Sequence, residues 1–281
     1  MSQMRMIPPL VTTKWLAENI AQPGLVVVDI RIGSEYKDGH IPGAVNAPFS
    51  SWAKSKGRLL LELPTPGELF ATIGGAGIGG GSRVVVVNKT DTPFTLADAA
   101  RVAYTIIYGG VKNVAVLNGG YNKWLKEKRP LSQATVKPKK VAYKGKINKE
   151  MFVNKAYVAK RLGKSVIVDA RSPDEFFGIT QDLFTERPGH IPTATCLPAP
   201  WLWTDKGTYR SIKEIRAMVA GVVGRDKSKE IIFYCGVGGF SGAWCFVLRE
   251  MLGYANVRLY DGSAQEWTAD PKAPMSRYRW D

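Results

Sequence analysis

One pattern occurs twice along this chain of 281 residues, and a single-domain reading does not accommodate it. The apolar run Leu25–Asp29 (LVVVD) has a counterpart in Val166–Asp169 (VIVD). Each ends in Asp-x-Arg, Asp29/Arg31 and Asp169/Arg171, and is followed by Glu and an aromatic, Glu35-Tyr36 and Glu175-Phe176. Gly-His-Ile-Pro then stands at residues 39–42 and 189–192, with a further proline at Pro48 and Pro198. Second apolar runs cover residues 84–87 and 231–234. Both copies close with a turn, residues 118–120 and 261–263, and then Trp124 or Trp267. This many matches in one order mark a duplication.

Short β-branched runs without polar alternation are characteristic of strands buried on both faces. Between them, residues 96–107 and 212–223 have helical spacing. Strands alternating with helices predict an α/β fold of two tandem domains, each a mostly parallel sheet with helices on both faces. The expected boundaries are 1–131 for the N-terminal domain, 132–149 for a basic linker and 150–281 for the C-terminal domain. The linker rests on Lys137, Lys139, Lys140, Lys144 and Lys146 in a stretch poor in large apolar groups, which reads as a solvated segment. The second copy carries an insertion between Phe177 and Gly189, and the first a longer loop after Asn88.

A formal net charge of +15 attracts anions of any kind. No nucleic-acid-reading motif accompanies it and no apolar stretch is long enough to span a bilayer, so neither nucleic acid nor membrane is expected as a partner. A small anionic substrate suits the charge. Three cysteines, Cys196, Cys235 and Cys245, are too few and too irregularly spaced for a disulfide framework or a zinc site. The odd count leaves at least one free thiol, which favours a reducing compartment or a reactive role; residues 1–10 lack the apolar core of a signal peptide, and a cytoplasmic setting is the expectation.

Residues 231–242 read IIFYCGVGGFSG. A buried strand delivers Cys235 to its C-terminal tip, a glycine-rich loop turns, and a helix follows. Ligands bind at that end of the strands in open α/β sheets. Glycines permit backbone geometries in which several N–H groups point at one sulfur, and the helix adds the positive end of its dipole. Both favour thiolate over thiol, and the same cradle suits an anionic persulfide. The alternative for Cys235 is a buried structural thiol. Cys245, among Trp244, Phe246 and Val247, reads as core packing, and Cys196 as structural. The first copy ends its strand in Asn88, which can neither become a thiolate nor hold a persulfide, so that domain is expected to be inactive.

Asp-x-Arg, Glu-aromatic, Gly-His-Ile-Pro-x-Ala, the strand-Cys-loop-helix unit and the closing Trp region together resemble the rhodanese family in its tandem form. The resemblance spans nearly the whole chain outside the linker and the termini. It implies a thiosulfate sulfurtransferase-like enzyme in which Cys235 takes a sulfane sulfur from an anionic donor, thiosulfate favoured, and passes it to a thiophilic acceptor. The residues expected to hold substrate and persulfide are Gly236, Val237, Gly238, Gly239, Phe240, Ser241, Arg187 and Arg171. No metal or dissociable cofactor is required. The implied partners are the small anionic donor and a thiol or cyanide acceptor, with a protein acceptor as a further candidate.

The donor is less sharply written. Mercaptopyruvate sulfurtransferases carry a serine two residues after the cysteine and a histidine before a Met-Leu-Pro segment; here those positions are Val237 and Leu61. Animal thiosulfate enzymes place cations two residues after the cysteine and six after the Asp of Asp-x-Arg, where this chain has Val237 and Glu175. Phe240 stands where many relatives are polar. Arg187 resembles the arginine that mercaptopyruvate enzymes set against a carboxylate, although an exposed loop arginine is the alternative. Arg171, beside Asp169 at a strand end, suits a structural ion pair better than a substrate contact, and His40 and His190, identical in both copies, suit a fold role. A Cys-dependent phosphatase would need arginine six positions after the cysteine to clamp phosphate, and Ser241 is there. A 3-mercaptopyruvate or polysulfide donor, or a non-catalytic binding module, remain the alternatives.

Overall fold

A computed structural model of the protein describes residues 5–280, so the first four residues of the N-terminal segment considered above lie outside it. Its strands in chain order are β1 (Leu10–Val11), β2 (Leu25–Asp29), β3 (Val45–Asn46), β4 (Lys54–Lys56), β5 (Leu59–Glu62), β6 (Arg83–Val87) and β7 (Asn113–Leu117). The second half adds β8 (Phe152–Val153), β9 (Val166–Asp169), β10 (Ala194–Cys196), β11 (Ile231–Tyr234) and β12 (Val257–Tyr260). One five-stranded sheet has the order β1-β7-β6-β2-β3 and the other, read from β8, the order β8-β12-β11-β9-β10. Every pairing within the two sheets is parallel. The two orders are the same topology, so the repeat in the sequence is a repeat of the fold.

Composition explains the strands. Val84–Val87 of β6 and all four residues of β11 are buried, as β-branched and aromatic runs covered on both faces should be. The helices start where side chains satisfy the first free N–H groups. Capping boxes at Thr65/Glu68, Thr92/Thr95, Ser172/Glu175 and Ser211/Glu214 open Pro66–Gly75, Pro93–Tyr108, Pro173–Phe177 and Ile212–Val222. Proline at the first helical position of the first three is tolerated because that N–H has no partner in any case.

The repeated motifs do identical jobs in both copies. Asp29 accepts Nε and Nη2 of Arg31, and Arg31 Nη2 also donates to Gly39 O at 2.9 Å. Asp169 and Arg171 repeat this, with Gly189 O at 2.8 Å. His40 Nδ1 donates to Tyr36 O and stacks on the Tyr36 ring at 3.8 Å; His190 does the same with Phe176 at 3.7 Å. The closing tryptophans donate to Pro130 O and Pro274 O. Motif residues that recur in both copies therefore hold the frame.

The chain divides into two compact units that do not follow the sequence boundaries everywhere. One contains the residues through Ala53, Leu63–Asn148 and Thr204–Tyr209; the other contains Lys54–Glu62, Lys149–Trp203 and the residues from Arg210 onward. The antiparallel hairpin β4–β5 thus belongs with the second sheet, although it lies in the first half of the sequence. Residues 132–148 are also less free than their lysines suggest. Val141 N–H donates to Gly74 O, Tyr143 Oη to Gly109 O and Asn148 N–H to Tyr108 O. A side chain at Gly74 would run into the Val141 carbonyl. No helix among the described residues is long and apolar enough to cross a membrane.

Candidate active site

Strand β11 lies between β9 and β12, in register Tyr234 with Asp169 and Phe233 with Leu259, and delivers Cys235 at its C-terminal end. The chain turns through Gly236–Gly238 and enters the helix Gly239–Phe246, which continues as a π-helical segment Val247–Leu252. Gly238 makes the turn with φ of +93°, a left-handed conformation that glycine adopts without strain. The helix begins at Gly239, so Phe240 and Ser241 lie in its first turn.

Cys235 is 2% exposed. Its Sγ accepts the Gly238 N–H at 3.1 Å and faces the Ser241 hydroxyl at 3.7 Å. The other end of the loop is tied to the helix Ser263–Ala269. Cys235 N–H donates to Ser263 Oγ at 3.4 Å, Ala264 N–H to Cys235 O at 2.9 Å, and Gln265 N–H to Gly236 O at 3.0 Å. The sulfur is thus placed by two helix starts rather than by one flexible loop. Val237 is nearly buried and Phe240 half-buried, which keeps the surroundings of the loop apolar.

The two arginines expected near a donor are otherwise engaged. Arg171 is buried against Asp169; burial opposes its charge, but the carboxylate outweighs that and holds it protonated. Arg187 donates to Thr268 O, Ala273 O, Trp267 O and Asp270 O, spending its guanidinium on the carbonyls that end the helix Ser263–Ala269. The guanidinium of Arg187 thus caps the C-terminal end of this helix. The other thiols are set apart. Burial pushes Cys196 up to about 12, and Cys245 Sγ donates to Arg258 O.

Four residues near the loop are not among the expected site residues. Asp182, in the insertion between Phe177 and Gly189, abuts Gly236 so closely that any side chain there would collide with its carboxylate. Burial pushes the Asp182 carboxyl up from the ordinary range, opposed by its Phe184 N–H bond and by the Arg171 charge. Leu61, with φ of +57°, reaches toward Gly239, and Gln265 grips the backbone of Leu60. Ser263, at φ of +50°, also bonds Tyr260 O. A comparison of the two copies could have exposed Ser263. Gly120 holds its place in the first copy, where Tyr121 N–H donates to Asn88 O as Ala264 N–H does to Cys235 O. Asn88 itself turns its amide to Thr95 O.

Comparison with known proteins places the fold. The rhodanese-like domain description matches residues 12–127 and again 154–270. A protein of Mycolicibacterium smegmatis named "Putative thiosulfate sulfurtransferase" is 32% identical over 95% of this chain and 96% of its own. The sulfur carrier protein TtuD of Thermus thermophilus is 31% identical over 92% of this chain and 93% of its own. Among solved structures, YnjE superposes with a TM-score of 0.85 at 27% identity, covering 96% of this chain and 68% of that one. The anaerobic ergothioneine biosynthesis enzyme of Chlorobium limicola, in complex with trimethyl histidine, gives 0.81 at 25% identity, covering 96% and 70%. With two matched domains covering most of its length, the chain belongs to the rhodanese family.

Proposed function

We propose that the protein is a sulfurtransferase that carries sulfane sulfur as a persulfide on Cys235. The observation that carries this reading is the Cys235 Sγ at the tip of β11, within 3.1 Å of the Gly238 N–H and 3.7 Å of the Ser241 hydroxyl. Donors arranged in this way offset the negative charge of a sulfur anion wherever it resides. With thiosulfate as donor, the Cys235 thiolate attacks the outer sulfur, the S–S bond to the sulfonate breaks, and sulfite leaves with the electron pair. The Cys235 persulfide anion remains. An acceptor thiolate or cyanide then attacks its terminal sulfur, and the thiolate of Cys235 is the leaving group. Charge and atoms balance in both steps without a cofactor.

The names of the relatives favour thiosulfate. A second reading, a donor of lower charge such as a polysulfide or a protein persulfide, is favoured by the Asp182 carboxylate against the loop and by the prior engagement of Arg171 and Arg187. Leu183 next to it is 96% exposed, an apolar contact for a protein acceptor. Intact-mass measurement after brief exposure to thiosulfate, 3-mercaptopyruvate or polysulfide separates these donors. The expected result is one added sulfur on the wild type and none on Cys235→Ala. An adduct that persists in the variant, or none with any donor, would remove the assignment.

A further inference from the structure

The helix Ile212–Val222 turns Ile215 and Val219 into the core and carries Lys213, Arg216, Ala217 and Ala220 along its outer side, at the i, i+3, i+4 and i+7 spacing of one helical face. Facing them are Arg225 and Lys227 of the following turn, and Leu252 and Tyr254. Together these groups line a half-open cavity of about 440 Å³, within the size range of small-molecule sites. Its charged groups are all cations, and its floor is apolar.

The four cations have no competing partners. Among the described residues none of Lys213, Arg216, Arg225 and Lys227 makes an ion pair or a side-chain hydrogen bond. Other basic side chains of this unit do: Arg58 pairs with Glu186, Arg258 with Glu230 and Lys155 with Asp270. The carboxylates adjacent in sequence are committed as well, Glu214 to Ser211 and Asp226 to Ser228. Like charges gathered round one cavity repel each other, and an anion of high charge would turn that repulsion into attraction.

Position separates this cavity from the cysteine. Arg225 and Lys227 precede β11 and Tyr254 precedes β12, so the cavity lies at the N-terminal edge of the sheet, whereas Cys235 follows β11 at the opposite edge. A ligand here would not compete with the sulfur donor.

We infer that this cavity binds a phosphate-bearing small anion, its phosphates taken by Arg216 and Arg225 and supported by Lys213 and Lys227. Guanidinium forks match phosphate oxygens in pairs, which a carboxylate-free rim leaves available. Ala217, Ala220 and Leu252 provide a surface for an apolar portion. The shared chemistry is a chain of phosphates, which an inorganic polyphosphate and a nucleotide both present.

The test is calorimetric titration of the full chain with tripolyphosphate, ATP and AMP at near-physiological salt, on wild type and on the Arg216→Ala/Arg225→Ala double variant. The expected result is saturable binding of one equivalent of ATP or tripolyphosphate, weaker binding of AMP, and a loss of about tenfold or more in the variant. ATP binding more tightly than tripolyphosphate would identify a nucleotide that uses the apolar floor; equal binding would identify the phosphate chain alone. No saturation by any probe, or equal affinity in the variant, would overturn the proposal, as would tighter binding of a short poly-glutamate peptide than of either phosphate chain. Unchanged persulfide loading of Cys235 in the double variant checks that the unit is folded.

Discussion

The carboxamide of Gln265 holds the backbone of Leu60 at both of its polar groups: Oε1 accepts the Leu60 N–H at 2.9 Å, and Nε2 donates to the Leu60 carbonyl at 2.9 Å. The backbone N–H of Gln265 meanwhile donates to Gly236 O, the residue after the nucleophile. One residue therefore connects the hairpin β4–β5 with the turn that positions Cys235, and the sequence places Leu60 and Gln265 205 residues apart.

Removing that carboxamide is expected to loosen both ends. Gln265→Ala leaves the Leu60 N–H and carbonyl without their partner, at about 1–3 kcal/mol for each group that water does not reach. Hydrogen exchange at residues 54–62 should accelerate, and persulfide formation on Cys235 should slow by roughly tenfold through lost positioning. Unchanged exchange at Leu60 would show that the clamp contributes nothing to holding the hairpin.

Asp182 is expected to act on donor choice. Its carboxylate abuts Gly236, and burial holds its proton to higher pH than an ordinary aspartate. Below its pKa the group is neutral; above it, a negative charge stands beside the path of any anionic donor. With thiosulfate, kcat/KM should therefore gain as pH falls through the Asp182 titration, and Asp182→Asn should remove that component while raising the rate at neutral pH by several-fold, on the order of 1 kcal/mol of relieved repulsion. A donor of lower charge should respond less. Identical pH profiles for wild type and variant would exclude a role for Asp182 in donor access.

What the sequence made legible follows from which contacts are local. The strands, the two long helices and the duplicated Asp-x-Arg and Gly-His-Ile-Pro frames are short-range patterns of burial and capping; residues 96–107 fall within Pro93–Tyr108, and residues 212–223 span Ile212–Val222 and its C-cap. Cys235 was legible because a strand, three glycines and a helix lie consecutively around it. Asp182, Gln265, Leu61 and Ser263 were not, because their roles depend on pairings between segments distant in sequence. Arg187 shows the reverse problem: its place in the motif suggested an anion contact, and only the carbonyls of a helix more than seventy residues away reveal where its guanidinium goes. The lysines of residues 132–149 likewise suggested a solvated linker, whereas the backbone bonds to Gly74 and Tyr108 come from Val141 and Asn148, the residues that stand among those lysines.

Arg187→Gln tests the capping position against the binding one. Nε, Nη1 and Nη2 serve four carbonyls, and an amide can replace at most two of those bonds. The helix Ser263–Ala269 should lose about 1–3 kcal/mol, read as a lower thermal midpoint. Because Gln265 and Ser263 lie on that helix, turnover should fall modestly, yet KM for 3-mercaptopyruvate should stay near the wild-type value. A large rise in KM with an unchanged midpoint would return Arg187 to the role of carboxylate anchor.

The helix Pro93–Tyr108 carries a titratable group whose effect on stability has a definite sign. Burial pushes the Asp98 carboxyl up to about 7 from 3.8. The folded chain then holds this proton where the unfolded chain has released it, so rising pH favours unfolding between about 4 and about 7, and the loss is complete above that window. A tenfold change in proton affinity corresponds to about 1.4 kcal/mol, so the penalty above neutrality is on the order of 4 kcal/mol. Asp98→Asn carries no ionisable group and should keep its stability across the same window. Thermal midpoints at pH 5 and pH 8 should therefore diverge in the wild type and converge in the variant, with the variant the more stable of the two at pH 8. An equal fall in both proteins would place the pH dependence in other carboxyl groups and leave Asp98 without a part in it.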